Sequence, residues 1–196
     1  MIRIGVLGST NGTDLQVILN AIAKKRLRAD ISVVISNRKN AFILKRAENH
    51  NIQHSYVSHL HMNREEFDHK VTNILEKHKV DLVLLIGFMR ILSKSFCKHW
   101  SGKILNVHPS LLPKYSGGMD EDVHAKVLKN KDTETGCTIH FVTEAVDAGP
   151  IFIQKRCRVN SSDTIQTLKA KVQALEGDAF LEAIPLFESK YHNKNG

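Results

Sequence analysis

Cysteine is scarce in this chain: Cys97, Cys137 and Cys157 are odd in number, far apart, and form no C-x-x-C pair. That excludes a disulfide framework and a cysteine-built zinc cage, and three reduced thiols in or near the core are expected. Long apolar runs are also missing. No stretch approaches the roughly 18 consecutive apolar residues of a membrane span, so no membrane association is expected. Met1 to Leu7 runs straight into a strand pattern without the charged and apolar regions of a secretory signal, and a cytoplasmic protein is expected. Aromatics make up only 6% of the residues and are not interleaved with Lys and Arg, which are spread along the whole chain. Nucleic-acid binding is therefore not expected, although the net charge is +8. The basic excess reads as a solvated surface whose field favours small polyanions such as phosphates or polycarboxylates.

What is present fits a globular enzyme. With 196 residues, 42% hydrophobic and 24% charged, the chain can bury one substantial core. The expected organisation is one domain over residues 1–190, in two closely packed halves of about 1–100 and 101–190, and a short unstructured tail at 191–196. Ile2 to Leu7 reads as a buried strand, followed by a small polar turn from Gly8 to Asp14. Leu15, Ile18, Leu19 and Ile22 then recur at helical spacing. A second strand is expected at Ile31 to Ile35 and a second helix at Ala41 to Asn49. A third helix carries Phe67, Val71, Ile74 and Leu75, and Val80 to Ile86 reads as a central strand covered on both faces. This alternation predicts an α/β fold, a doubly wound and mostly parallel sheet with ligand sites outside the carboxyl ends of its strands. Three loops should converge there: Gly8 to Asp14, Gly87 to Leu92, and His108 onward. Thr138 to Thr143 and Ile151 to Val159 read as an antiparallel extension. A long helix from about Asp163, with Ile165, Leu168, Val172, Leu175 and Ala179 on one face, closes the fold.

Three places carry candidate chemistry. The Gly8 to Asp14 turn offers close backbone approach and a helix N-terminus to an anion, though a plain strand-to-helix turn has the same appearance. Asn106 and His108 stand at i and i+2 on a strand end, so both side chains point to one side, and Pro109 keeps His108 extended. Asp147 lies on the loop Val146-Asp147-Ala148-Gly149-Pro150; in isolation it reads first as an ordinary turn aspartate.

Taken together, Asn106-Val107-His108-Pro109-Ser110-Leu111-Leu112-Pro113, Gly87 to Leu92, and Thr138 to Thr143 with Asp147-Ala148-Gly149-Pro150 resemble the folate-dependent formyltransferases in order and spacing, over nearly the entire chain. The Asn11-Gly12-Thr13 loop, Arg64 and Glu176 fall where the branch acting on glycinamide ribonucleotide in purine synthesis has its binding residues. The resemblance implies a formyl transfer from 10-formyltetrahydrofolate, a cosubstrate, to a primary amine, with no metal. His108 and Asn106 would stabilise the oxyanion of a tetrahedral intermediate. Asp147 would raise the His108 pKa and accept a proton from the amine, directly or through water. Arg64, Met89, Arg90, Ile91 and Leu92 would bind the folate with Asn106, Arg64 facing its glutamate tail. Gly12, Thr13 and Asp14 would hold the phosphate, and Glu176 the ribose. The N-terminal half would thus be the phosphate-binding half and the C-terminal half the catalytic one, in a monomer or homodimer whose partners are small molecules.

Three positions depart from the family pattern. Asp14 stands where Asn is usual, and two unit charges about 5 Å apart at an effective dielectric near 20 repel by roughly 3 kcal/mol. A carboxylate turned to cap the helix would escape this. Gly177 replaces a histidine, and Asp120-Glu121-Asp122 form an acidic cluster. All three bear on the amine-substrate pocket. The rival readings are a sister enzyme with a sugar-nucleotide acceptor, a formyltetrahydrofolate hydrolase, and a non-catalytic phosphate-binding module. His50, His54, His59 and His61 have no carboxylate or cysteine set at ligand spacing and read as surface histidines.

Overall fold

The computed structural model describes residues 1–118 and 121–195, the last five by their backbone alone. Seven strands form one sheet in the order β3-β2-β1-β4-β5-β6-β7. They are β1 Ile2–Leu7, β2 Ala29–Ser36, β3 His54–Tyr56, β4 Leu82–Leu85, β5 Ile104–His108, β6 Glu134–Phe141 and β7 Ile151–Arg158. The first five are mutually parallel, and β6 runs antiparallel to both β5 and β7.

Alternation on β1 explains the layering. Ile2, Ile4 and Val6 point into a core completed by α1 (Thr13–Ala23), α2 (Phe42–Asn49) and the long α6 (Ile165–Asn195). Leu7 points the other way, into a second core with α3 (Arg64–Lys77) and α4 (Lys94–His99). A strand buried on both faces has no polar side to spare, which is why β4 reads Leu-Val-Leu-Leu without interruption. The helix α5 (Glu121–Lys129) packs on α6 beyond β5.

The chain winds outward from β1 to β3, then returns to the other side of β1 for β4 and β5. At that reversal the loops leaving β1 and β4 diverge, and a crevice opens at the carboxyl ends of the strands. The two loops are stitched together there: the Ser9 N–H donates to the Gly87 carbonyl at 3.0 Å, and the Met89 N–H to Ser9 Oγ at 2.9 Å.

Several boundaries differ from expectation. β2 and β6 begin earlier than expected, and β4 is shorter than its apolar run. The edge strand β3 and the helices α4 and α5 are additions. β3 leaves its outer residues exposed and shows no apolar alternation, and α4 spans only six residues. The final helix runs on to Asn195, through most of the stretch expected to be a tail; Gly196 lies outside the described residues.

Candidate active site

A cleft of about 770 Å³ follows the crevice and is lined by all three expected loops, together with α6 and the β6–β7 connection. Asn106 sits opposite His140 in the β5–β6 ladder, and His108 opposite Thr138. Position i and i+2 on β5 and the facing residue on β6 therefore project three polar side chains to one side. The β6–β7 register slips by one residue at His140, a local irregularity of the kind that re-aims side chains beside functional sites. The segment after His108 is held by Thr138, whose Oγ donates to the Ser110 carbonyl at 2.7 Å and accepts from the Leu112 N–H at 3.0 Å.

Asp147 closes the group. Its Oδ2 lies 3.2 Å from His108 Nδ1 and its Oδ1 lies 3.5 Å from His140 Nε2. The Gly117 N–H also donates to Oδ2, at 2.8 Å. To reach inward the residue adopts φ +53°, a left-handed conformation that a short polar side chain tolerates. The other ring nitrogen of His108, Nε2, donates to the Tyr115 carbonyl at 3.0 Å. His140 Nδ1 lies 3.0 Å from the Phe141 carbonyl, so Nδ1 carries the proton and Nε2 accepts from Asn106 Nδ2 at 3.1 Å. That bond uses one amide hydrogen of Asn106 and leaves the second for the cleft.

Both imidazoles are buried and the carboxylate is largely so. Burial alone would push Asp147 up, but the donors around it, the Gly117 N–H among them, and the charge of His108 outweigh burial and hold the carboxyl below its usual range. On His108 burial is the largest influence and wins. The imidazole lies below its ordinary value, with Asp147 and the Tyr115 carbonyl pulling upward and His140 adding to the downward push. This reverses the expected net shift: Asp147 does draw the histidine upward, yet a ring removed from water pays more for its charge than one carboxylate returns.

Met89, Arg90, Ile91 and Leu92 all line the cleft, as expected of the folate side. Leu92 is buried, whereas Met89, Ile91 and, from the β6–β7 connection, Val146 are among the largest exposed apolar residues of the protein. An apolar rim at the mouth of a cleft suits a flat heteroaromatic ring. The Arg90 guanidinium lies over the Phe67 ring at 4.4 Å, and its buried Nε has no hydrogen-bond partner. Arg64 is not brought into the cleft. It is the exposed first residue of α3, placed there by the Asn63–Glu66 capping box.

Gly12, Thr13, Asp14 and Glu176 line the cleft as well. Gly12 is the N-cap of α1 at φ +64°, and a Cβ there would meet Ile43 Cγ1 at 2.4 Å. Arg46 of α2 holds the turn from behind, donating from Nε to the Asn11 carbonyl at 2.7 Å. Asp14 lies in the first turn of α1 and does not cap it: no side-chain cap bond is made, and the buried Oδ1 has no hydrogen-bond partner. Gly177 is explained by packing, since a Cβ would lie 2.9 Å from Val17 where α6 crosses α1. Glu121 and Asp122 open α5, where they complement its dipole, and do not line the cleft; Asp120 lies outside the described residues.

Sequence reasoning passed over His140, His124, Lys169 and Gln173, all of which line the cleft. Lys169, Gln173 and Glu176 stand at i, i+4 and i+7 on α6, a helical spacing that was legible. Gln173 Nε2 donates to Thr13 Oγ at 2.5 Å and ties α6 to the α1 turn. His50, His54 and His59 are engaged with Gln16, the Ile52 carbonyl and the Asn37 carbonyl. Among the described residues no group of three or more His, Cys, Asp or Glu is disposed to hold a metal, and no helix is long and apolar enough to cross a membrane.

Residues 2–184 match the formyl transferase family model. The chain is 38% identical over 175 residues to the phosphoribosylglycinamide formyltransferase of Escherichia coli, covering 89% of this chain and 81% of that protein. It is 42% identical over 189 residues to the trifunctional purine biosynthetic protein adenosine-3 of Gallus gallus; the match covers 96% of this chain and only 18% of that much longer protein. The crystal structure of glycinamide ribonucleotide transformylase 1 from Symbiobacterium toebii superposes with a TM-score of 0.91 at 37% identity, covering 97% of this chain and 89% of that one.

Proposed function

The chain belongs to the formyl transferase family, and from that premise we propose that it transfers the formyl group of 10-formyltetrahydrofolate to the primary amine of glycinamide ribonucleotide, the phosphoribosylglycinamide formyltransferase reaction of purine synthesis. The observation that carries this reading is the meeting of Asn106, His108 and Asp147 in one cleft that is also lined by the N-terminus of α1 and by exposed apolar side chains. The reduced folate supplies the formyl group and is bound by Met89, Arg90, Ile91 and Leu92, the exposed apolar side chains taking its ring. Arg64 stands outside the cleft, free to meet only the glutamate tail. Gly12, Thr13 and Asp14 take the phosphate of the acceptor and Glu176 its ribose.

As the acceptor nitrogen bonds to the formyl carbon, the carbonyl π electrons move onto the formyl oxygen as negative charge, and they return to re-form the carbonyl when the bond to the folate nitrogen breaks. The Asn106 amide hydrogen not used by His140 is a fixed donor for it. His108 is the second donor, its Nε2–H exchanging the Tyr115 carbonyl for the formyl oxygen. In the protonated form the ring bonds Asp147 through Nδ1 at the same time. Because burial holds His108 below its ordinary value, the ring takes up a proton from solvent when an oxyanion beside it offsets the cost, and returns it as that charge collapses. Asp147 takes up the proton released by the amine and passes it, directly or through water, to the departing folate nitrogen. Three free cysteines support a reducing, cytoplasmic setting.

The test is direct. Purified protein is mixed with 10-formyltetrahydrofolate and glycinamide ribonucleotide, and release of the deformylated folate is followed. Turnover that requires the acceptor and collapses in His108→Ala is expected. Turnover with a different amine, or with water alone, would move the chain to a sister activity, and an unchanged His108→Ala rate would remove the catalytic assignment.

A further inference from the structure

Asp14 presents a chemical problem at the mouth of α1. It is 5% exposed, it lines the cleft beside Thr10 to Thr13, and its Oδ1 has no hydrogen-bond partner. As an anion it would repel the phosphate that the turn is shaped to receive, and the escape of capping the helix is closed, because Gly12 is the N-cap and no side chain caps the first turn. A neutral carboxyl removes the repulsion and adds a donor. Its O–H reaches a phosphate oxygen as an amide N–H would, while its carbonyl oxygen remains an acceptor.

We propose that Asp14 meets the phosphate of the acceptor as a carboxylic acid, so that phosphate binding takes up one proton from solvent onto this side chain. The identity of the ligand rests on the reading above; the proton does not. Burial raises the Asp14 pKa to about 7, so near neutrality the proton is held at little cost. The charged and titratable groups around the site are Glu176 and Lys169 from α6, His124 from α5, Cys137 from β6 and, behind the turn, Arg46 from α2. A phosphate and Glu176 together add negative potential, which favours the neutral acid further.

Affinity for glycinamide ribonucleotide and for inorganic phosphate is measured by calorimetry from pH 7 to 9, in buffers of different ionisation enthalpy, for the wild type and Asp14→Asn. Uptake of about one proton by the wild type and a loss approaching tenfold per pH unit are expected. Asp14→Asn should lack this component, because the ionisation of the ligand's own phosphate and amine is common to both proteins and cancels in the comparison. Both proteins binding glycinamide ribonucleotide with the same proton uptake would overturn the inference and leave the acceptor intact. Proton-linked binding of inorganic phosphate with no binding of glycinamide ribonucleotide would do the reverse. Absence of binding by either ligand would remove both.

Discussion

At the residue scale the active-site cluster is a competition between burial and charge, and it can be pulled apart. Asp147 draws the His108 pKa upward against the stronger effect of burial. Asp147→Asn keeps the size of the side chain and an oxygen for the Gly117 N–H but deletes the charge. His108 should therefore titrate still lower in this variant, and kcat should fall by about 100- to 10,000-fold. An NMR pH titration of the imidazole resonances reads the first effect; an upward move would show that Asp147 is not the ion opposing burial. Asn106 is a second, separable case. Its amide is oriented by His140 at 3.1 Å, so Asn106→Ala removes a positioned donor without touching the His108–Asp147 pair. A fall of about 100- to 1000-fold in kcat with little change in KM is expected. A rise in KM with kcat preserved, in steady-state kinetics, would make Asn106 a binding residue instead.

At the scale of elements, the turn between β1 and α1 has little freedom. Gly12 combines a left-handed backbone with a close approach to Ile43 of α2. Gly12→Ala carries both a conformational cost and a steric one, together about 2 to 4 kcal/mol. Urea unfolding should show that loss, and phosphate binding should weaken with it; a variant as stable as wild type would mean that α2 yields readily. This turn also shows what was readable in the sequence. Small polar residues between an apolar run and a helical repeat announced strand, turn and helix, because that periodicity follows from which faces are buried. The site on β5 was legible for the same reason, since alternation alone puts Asn106 and His108 on one side. The capping box of α3 was written locally in Asn63 and Glu66, yet α4 is too short to show a period and β3 has no buried face to impose one. His140 was hidden differently. Its importance comes from pairing opposite Asn106, a register that no local pattern contains. The downward shift of His108 was likewise out of reach, since it depends on how completely the folded protein excludes water from the ring.

At the scale of the whole molecule, burying the cleft sets two titrating groups against each other. Asp14 has its folded pKa raised from 3.8 to about 7. Its contribution to stability is complete below about pH 3.8, declines as the pH rises and is gone above about 7, where the folded state must either hold a buried carboxylate or retain a proton that the unfolded chain has lost. His108 runs the other way. Its folded value lies below the ordinary 6.5, so its contribution is present above that pH and is lost as the pH falls and the buried ring must charge. Asp14 therefore weakens the protein on the alkaline side and His108 on the acid side. Asp14→Asn isolates the first effect, because an amide has no proton to lose. A shift of about three units at about 1.4 kcal/mol each sets a ceiling near 4 kcal/mol, which relaxation of the site will reduce. The variant should be more stable than wild type by about 2 to 4 kcal/mol at pH 8, with the gap closing toward pH 4, where both side chains are neutral. Urea denaturation at several pH values measures this, and a gap that stays constant with pH, or a wild type that is the more stable at pH 8, would mean that the Asp14 carboxylate is satisfied in the folded protein after all.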